Sequence, residues 1–409
     1  MKIGIDARMY GPKQAGLGRY VQQLITGLFE IDSENEFVFF VRDVRDPLLT
    51  SPRSAELRAE AYKGEGKVRV VVANIPWYGL AEQIKFKKII QKEKVDLMHF
   101  PHWNVPLFYN DPFVVTIHDL IMYHYPRPEA TTLGPIKFWL KDRAHRIVLR
   151  HAVSRAKKLI VTSEFTKQDV LKTLGVPAEK MAVVYQAPFE RNKKQETNKL
   201  QIKNYKLKIT KPYVLYVGNA YPHKNLGRLL KAWGIFQNKC SSNYQLVLVG
   251  KRSLFYDRLF TSSHHHIITS SHEQFNNPPA GEAGLTIKQS GDIIFTDFVT
   301  DAELAVLYQN ARLYVFPSLY EGFGLPPLEA QRYGAPVISS SASCLPEVLG
   351  ESALYFDPEN VEQMADAIQR GLTDEDVRFQ LKRNATENLK RFSGERMARE
   401  IKKIYEKCW

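Results

Sequence analysis

Residues 312–339 read RLYVFPSLYEGFGLPPLEAQRYGAPVIS. The apolar run RLYVF is a strand that stops at Pro317, and a loop containing Glu321, Gly322, Phe323 and Gly324 follows. Pro326 and Pro327 suit the first turn of a helix, where backbone N–H groups have no intrahelical partner. Gly334 ends that helix, with Pro336 just beyond it. APVIS then opens a new strand. This alternation of strand, loop, helix and strand is the unit of a doubly wound parallel α/β sheet, in which ligands sit beyond the C-terminal ends of the strands. The EGFG loop occupies that place. Gly322 and Gly324 let backbone approach a ligand closely, and the free N–H groups opening the helix suit a phosphate. Glu321 in the loop and Glu329 on the helix have seven residues between them, and both are expected to face one cavity from different depths.

The same alternation extends along the whole chain. Strands are expected at 2–6, 37–41, 68–73, 96–100, 113–119, 158–163 and 181–185, most of them apolar on both faces, as buried parallel strands must be. Amphipathic segments such as RYVQQLITGLFE lie between them. A polar, mostly basic stretch at 191–211 reads as a linker, and the pattern restarts at 212–219, 244–250, 292–298, 312–318 and 335–340. The expected organisation is an N-terminal Rossmann-like domain over 1–190, the linker 191–211, a C-terminal Rossmann-like domain over 212–390, and a packing helix over 391–409. Met397, Ile401, Ile404 and Tyr405 mark the apolar side of that helix. Residues 252–291 read as a long polar loop of open role, and its His264-His265-His266 run as solvated.

The length of 409 residues agrees with two domains, because single cores rarely grow past roughly 250–300 residues. Three scattered cysteines, Cys240, Cys344 and Cys408, exclude a zinc ribbon or a disulfide scaffold and fit a reducing compartment. The N-terminus turns polar after five residues, so no signal peptide is expected, and no apolar stretch reaches the length of a membrane span. Lys plus Arg number 57 against 44 Asp plus Glu, a net charge of +13. That excess admits nucleic acid, an anionic membrane surface or a phosphorylated small substrate.

Four further segments bear on chemistry. In GNAYPHKN (218–225), Lys224 follows a strand and opens a helix, where it can neutralise a phosphate or be an ordinary surface lysine. TIHDL (116–120) brings His118 and Asp119 to a strand end, as catalytic groups or as satisfied local ones. GPKQAGLGRY (11–20) is a glycine-rich loop after the first strand, with Gly16 and Gly18. It can cradle an anion but lacks the third glycine of a dinucleotide fingerprint, since Val21 stands in that place. Residues 131–160 carry eight Lys and Arg, among them Lys137, Lys141, Arg143 and Arg146, against one acid, Asp142, with interleaved apolar residues. Two readings stand for it: a basic helix lying on an anionic membrane, or a helix whose apolar side packs on the first domain. No nucleic-acid module signature accompanies the charge.

The Glu321–Glu329 element inside PSLYEGFGLPPLEA resembles the E-x7-E hallmark of the family 4 retaining glycosyltransferases of GT-B fold, two doubly wound Rossmann-like domains facing across a cleft. GIDAR with AGLGRY, TIHDL, VTSEFTKQDV, YVGN…KN, IIFTDFVTDAELAVLY and PEVLGESALYFDP extend the resemblance over nearly the whole chain, and the opening is most similar to mannosyltransferases and related enzymes of bacterial polysaccharide assembly. The resemblance implies roles. Glu321 contacts the donor sugar near the reacting carbon, and Glu329 hydrogen-bonds the nucleotide ribose. Phe323, Gly324 and Leu325 offer backbone N–H groups, with Gly322, Gly218 and Asn219 at the same donor site, and Lys224 neutralises the diphosphate. Gly16 and Gly18 face donor and acceptor, and His118 touches the donor sugar or leaving phosphate. Asp119, Ser163 and Glu164 line the cleft. Where the family often has Arg, this chain has Asn219, so one phosphate cation is missing there. The implied substrates are a nucleotide-diphosphate hexose, GDP-mannose first, and a glycan or lipid-linked oligosaccharide acceptor. No D-x-D motif stands at a strand end, so no metal and no other cofactor is expected. Nucleic acid is not an expected partner, and the expected place is the cytoplasm, at the inner face of the membrane if 131–160 binds lipid. A sugar-nucleotide epimerase of the same fold, or a non-catalytic basic protein binding nucleic acid or membrane, are the alternatives. The base, the sugar, the acceptor and its linkage, and the oligomeric state have no motif in the sequence.

Overall fold

The structure, a computed structural model, describes residues 1–11, 14–43, 68–126, 134–188, 209–240, 243–263, 287–290 and 292–409. Most of the basic linker and the run His264–His266 lie outside these residues. The chain forms two compact units, Met1–Phe189 with Phe392–Trp409, and Glu190–Arg391.

The first unit is built on β1 (Lys2–Asp6), β2 (Glu36–Val41), β3 (Val68–Val72), β4 (Leu97–Phe100), β5 (Phe113–Ile117), β6 (Lys158–Val161) and β7 (Met181–Val183). They lie in the order β3-β2-β1-β4-β5-β6-β7, all parallel, with Ile3 opposite Phe37 on one side and Leu97 on the other. Both faces are apolar because both are covered. Ile3, Ile5, Phe37 and Phe39 pack beneath the helix Ala15–Ile31, through Tyr20, Leu24 and Leu28. Val38, Phe40, Met98 and Val115 pack on the other face with Phe86, Leu149 and Val153.

The C-terminal helix, Gly394–Glu406, belongs to this unit and not to the one preceding it in sequence. Its stripe of Met397, Ala398, Ile401, Ile404 and Tyr405 closes the first core. A Cβ on Gly27 would come within 2.9 Å of Ala398 Cβ, so a glycine permits the close crossing of the two helices. Lys402 anchors the far end on Asp32 at 3.3 Å.

The second unit holds β8 (Tyr213–Val217), β9 (Gln245–Val249), β10 (Ile287–Ser290), β11 (Ile293–Thr296), β12 (Leu313–Phe316), β13 (Val337–Ser340) and β14 (Ala353–Phe356). The order is β10-β11-β9-β8-β12-β13-β14, parallel except for the β10–β11 pair. Two readings of the sequence need correction. Residues 252–291 are not all loop, since 254–263 is a helix and β10 adds an antiparallel edge. The basic stretch 131–160 is not one helix: Pro135–Arg155 is helical, and β6 begins at Lys158.

In each sheet the strand order reverses once, between β1 and β4 in the first and between β8 and β12 in the second. The loops leaving these strands diverge and open a crevice at the sheet's C-terminal edge.

Candidate active site

In the second unit the switch point carries the EGFG loop after β12 and the GNAYPHKN loop after β8. Gly324 adopts φ +90°, where a side chain is strained and a Cβ would lie 2.8 Å from Leu345 Cδ2. It forms the N-terminal cap of the helix Leu325–Arg332, with no side-chain cap over the opening turn. The loop after β8 is pinned from below: Tyr256 donates to the Gly218 carbonyl and Tyr216 to the Asn219 carbonyl, both at 2.7 Å. Asn219 spends its side-chain oxygen on the Tyr221 amide. The turn Pro222–Lys224 follows, and Asn225, at φ +62°, ties the two loops together by donating to the carbonyls of Pro317 and Pro358. Leu319 N–H donates to the His223 carbonyl at 2.7 Å.

This stitching brings Lys224 Nζ to 2.5 Å from Glu321 Oε1 across 97 residues of sequence. The two side chains are 15% and 9% exposed, so the ion pair sits at the floor of the crevice with little water around it. The ammonium also lies 5.6 Å from the centre of the Phe316 ring. The amide of Glu321 donates to Ser343 Oγ, which fixes the loop on the segment after β13. Phe323 and Glu329 are buried, and Tyr308 O–H reaches Glu329 Oε2 at 3.4 Å. Arg228 donates to Asn225 Oδ1 and lies 3.7 Å from the exposed Glu359, so it serves the loop junction. Glu321, Glu329, Lys224, Gly218, Asn219 and residues 322–325 thus lie on these two stitched loops and the helix that follows. The pairing of Lys224 with Glu321 had no sequence signal.

In the first unit Gly18 is buried, and a Cβ there would fall on the Gly11 carbonyl oxygen, which explains a glycine at this point of the turn. Gly16 is exposed with open space around it. His118 follows β5. Its Nε2–H donates to the Pro101 carbonyl and its Nδ1 accepts from Gln186, each at 2.8 Å, while Tyr20 packs edge-on. The ring is therefore a neutral, fixed tautomer, and burial depresses its pKa to about 4. Asp119 caps the Ile121 amide. Ser163, fully buried, caps the helix Glu164–Leu174, whose first residue Glu164 points largely to solvent beside Lys167.

Two further histidines are held neutral by burial, His99 and His102, each with its pKa lowered to about 3. His99 is bonded to Tyr405 at 2.6 Å and to Thr116 at 2.8 Å. A histidine whose folded pKa lies below its unfolded value of about 6.5 contributes stability that is complete above that value and is lost as the pH falls toward the folded pKa. The thermal transition of the first unit is therefore expected to drop from pH 6.5 to 5, before most carboxylates titrate. Calorimetry at half-unit intervals tests this, and a flat profile over that window would contradict it.

The sequence reading missed a buried ionic cluster at the first sheet's switch point. Arg8 donates to Asp6 at 2.7 and 2.8 Å and to Glu82 at 2.6 Å, and stacks on Phe86 at 3.7 Å. Burial opposes its charge, but the two carboxylates outweigh that cost and hold its pKa above the ordinary value. Glu82, with no exposure, also accepts from Asn104 at 2.6 Å and from the Tyr78 amide at 2.8 Å. It opens a π-helical turn, Glu82–Phe86, of the kind that recurs at functional sites. The motif GIDAR carried Asp6 and Arg8, but Glu82 had no mark in sequence.

Comparison with known proteins agrees with this geometry. A family model described as glycosyl transferases group 1 matches residues 197–388, and one described as glycosyltransferase family 4 matches residues 15–187. The O-antigen chain mannosyltransferase RfbU of Salmonella typhimurium is 27% identical over 90% of this chain and 92% of its own. The O-antigen chain mannosyltransferase B of Escherichia coli is 29% identical over 69% and 67%. Among solved structures, a sucrose-phosphate synthase from Thermosynechococcus elongatus superposes with a TM-score of 0.70 at 22% identity, covering 100% and 98% of the two chains. HepE from Anabaena, in a complex with UDP-glucose, gives 0.66 at 16% identity over 99% of both. These two likenesses carry the fold, GT-B.

Proposed function

The chain belongs to glycosyltransferase family 4, and from that premise we propose that it transfers a mannosyl group from GDP-mannose, with retention, to a glycan or lipid-linked oligosaccharide acceptor. The observation that carries this reading is the Lys224–Glu321 pair at the second sheet's switch point, beside an uncapped helix N-terminus and above the buried Glu329. The mannosyltransferase names of the relatives support the sugar, and with it GDP as its usual carrier.

Glycosyl transfer breaks the bond between the anomeric carbon and the diphosphate through an oxocarbenium-like transition state. Negative charge gathers on the leaving group and positive charge on the carbon. Lys224 and the backbone N–H groups of Gly324 and Leu325 answer the first. The Glu321 carboxylate answers the second by electrostatic stabilisation. To Glu329, a buried carboxylate within reach of the Tyr308 hydroxyl, we assign the ribose hydroxyls. His118 presents a neutral ring whose two nitrogens are already spent, so we assign it no proton transfer. The chemistry assigned to these residues needs no metal.

Thermal-shift measurement against GDP-, UDP-, ADP- and dTDP-sugars tests the donor, since a ligand bound to the native state raises its apparent stability. GDP-mannose is expected to give the largest shift. A larger shift from another nucleotide would replace the donor, and none from any would refute the reading.

We further propose that the enzyme lies on an anionic membrane, at the inner face where lipid-linked acceptors are assembled. No helix among the described residues is long and apolar enough to cross a membrane. The helix Pro135–Arg155 supports a peripheral contact. Its last turns pack inward through Leu149, Ala152 and Val153, but Ile136, Trp139, Leu140 and Ile147 are all more than half exposed. Lys137, Lys141 and Arg143 are exposed among them, whereas Arg146 is spent on Asp142 and the Tyr123 ring. Sedimentation with phosphatidylglycerol vesicles at low salt should lose most binding in Trp139→Ser with Lys137, Lys141 and Arg143 changed to Glu. Equal sedimentation of this variant and the parent would end the idea.

A further inference from the structure

The residues around the Arg8–Glu82 cluster have a second property that catalysis by Lys224 and Glu321 does not use. Tyr78 stands at φ +62°, a left-handed conformation that bulky residues rarely adopt. Its amide is held there by Glu82 Oε2. The result is an aromatic ring that is 55% exposed and lies over a nest of others. Trp103 sits 5.5 Å from it between ring centres, His102 6.2 Å, and His145 packs against Trp103 at 4.3 Å. Nδ1 of His102 and Nδ1 of His145 are both shielded from solvent and have no hydrogen-bond partner among the described residues. An unpaired buried polar atom is costly and calls for an explanation.

Position adds to this. His102, Trp103 and Asn104 leave β4, and Arg8 leaves β1, so the cluster occupies the first sheet's switch point, where an open α/β sheet takes its ligand. His102 also lies within electrostatic reach of His118. An exposed aromatic face on a rigid strand-end scaffold matches one need of a pyranose. One face of the sugar ring presents C–H groups to a π-face, and its edge presents hydroxyls.

We propose that Tyr78, with His102, Trp103 and His145, forms a preformed subsite for a terminal hexopyranose of the acceptor glycan, and that Arg8 and Glu82 act as positioning residues holding the Tyr78 backbone. The proposal rests on the transferase reading above. The sugar stacks on the exposed face of Tyr78, which Trp103, His102 and His145 support from its covered side.

The test is direct binding, without turnover. The methyl glycoside of a mannose disaccharide is titrated into the full chain and followed by saturation-transfer NMR. Tyr78→Ala is expected to weaken binding at least tenfold and Tyr78→Phe less than threefold, since the ring and not the hydroxyl makes the contact. Tyr78→Gly removes the ring while easing the left-handed backbone, so it separates lost contact from misfolding, and it should behave like Tyr78→Ala. Equal behaviour of Tyr78→Ala and the parent, including no binding by either at millimolar sugar, would overturn the proposal, as would a Tyr78→Phe loss as large as that of Tyr78→Ala. Thermal shifts with GDP-, UDP-, ADP- and dTDP-sugars are read on the same samples: no shift from any of them in the parent refutes the transferase reading, whereas a shift together with disaccharide binding unchanged in Tyr78→Ala refutes the subsite.

Discussion

Glu321→Gln is expected to lower kcat by on the order of 10³-fold while GDP binding holds or tightens a few-fold. Gln keeps the size of the side chain and an oxygen for Lys224, so the loop geometry at 2.5 Å is preserved in kind. What disappears is the negative charge. Opposite charges about 4 Å apart at an effective dielectric near 20 attract by about 4 kcal/mol, and a barrier change of that size is about a thousandfold in rate. The ground state responds in the other direction. In the free protein the Glu321 carboxylate neutralises Lys224, so a diphosphate must share or displace that partner. Removing the charge releases the ammonium and removes a repulsion on the phosphates. A kcat drop without loss of GDP affinity, read by initial rates and calorimetry, separates this role from one in folding. A kcat within threefold of the parent would exclude Glu321 from the reaction.

Lys224→Ala is expected to be nearly as severe, but through binding. Asn219 supplies no charge where the family often has Arg, and its side chain is turned onto the Tyr221 amide, so this loop offers the diphosphate its cation through Lys224. A charge-assisted contact to phosphate is worth about 1.5–3 kcal/mol, and its growth as the leaving group departs adds to the loss. A fall of about 10²–10³-fold in kcat/KM, with GDP affinity down at least tenfold, is the expected result. The change also strands the Glu321 carboxylate, only 9% exposed, without its partner, which destabilises the second unit. The Lys224→Ala, Glu321→Gln double variant should regain that stability while remaining inactive. Recovery of activity in the double variant would mean that the pair is structural.

Much of the architecture was legible because buried parallel strands leave continuous apolar runs. The strand at 313–316 and the proline-opened helix followed from local chemistry, while the left-handed backbone of Gly324 is a detail of the folded loop. What the sequence could not show depends on contacts distant along the chain. The amphipathic stripe of 394–406 announced a packing helix, but nothing local says that it returns to the first unit to bond Tyr405 to His99, 306 residues away. The strand ALYF at 353–356 was too short and too like a loop flank to stand out. His118 was recognised as a strand-end imidazole, yet the saturation of both its nitrogens is a tertiary fact. Tyr78 and Glu82 carry no motif, because their meaning lies in a backbone conformation and a buried carboxylate that composition does not record.

Retaining mannosyl transfer at the Lys224–Glu321 site leaves a stereochemical signature in its product. Its most direct test is proton NMR of the first product formed from GDP-mannose and a mannose-terminated acceptor. A new α-anomeric signal on the acceptor is expected, matching the α-configured donor and disappearing in Glu321→Gln. A β-linked first product, or an epimerised sugar nucleotide formed from donor alone, would contradict it.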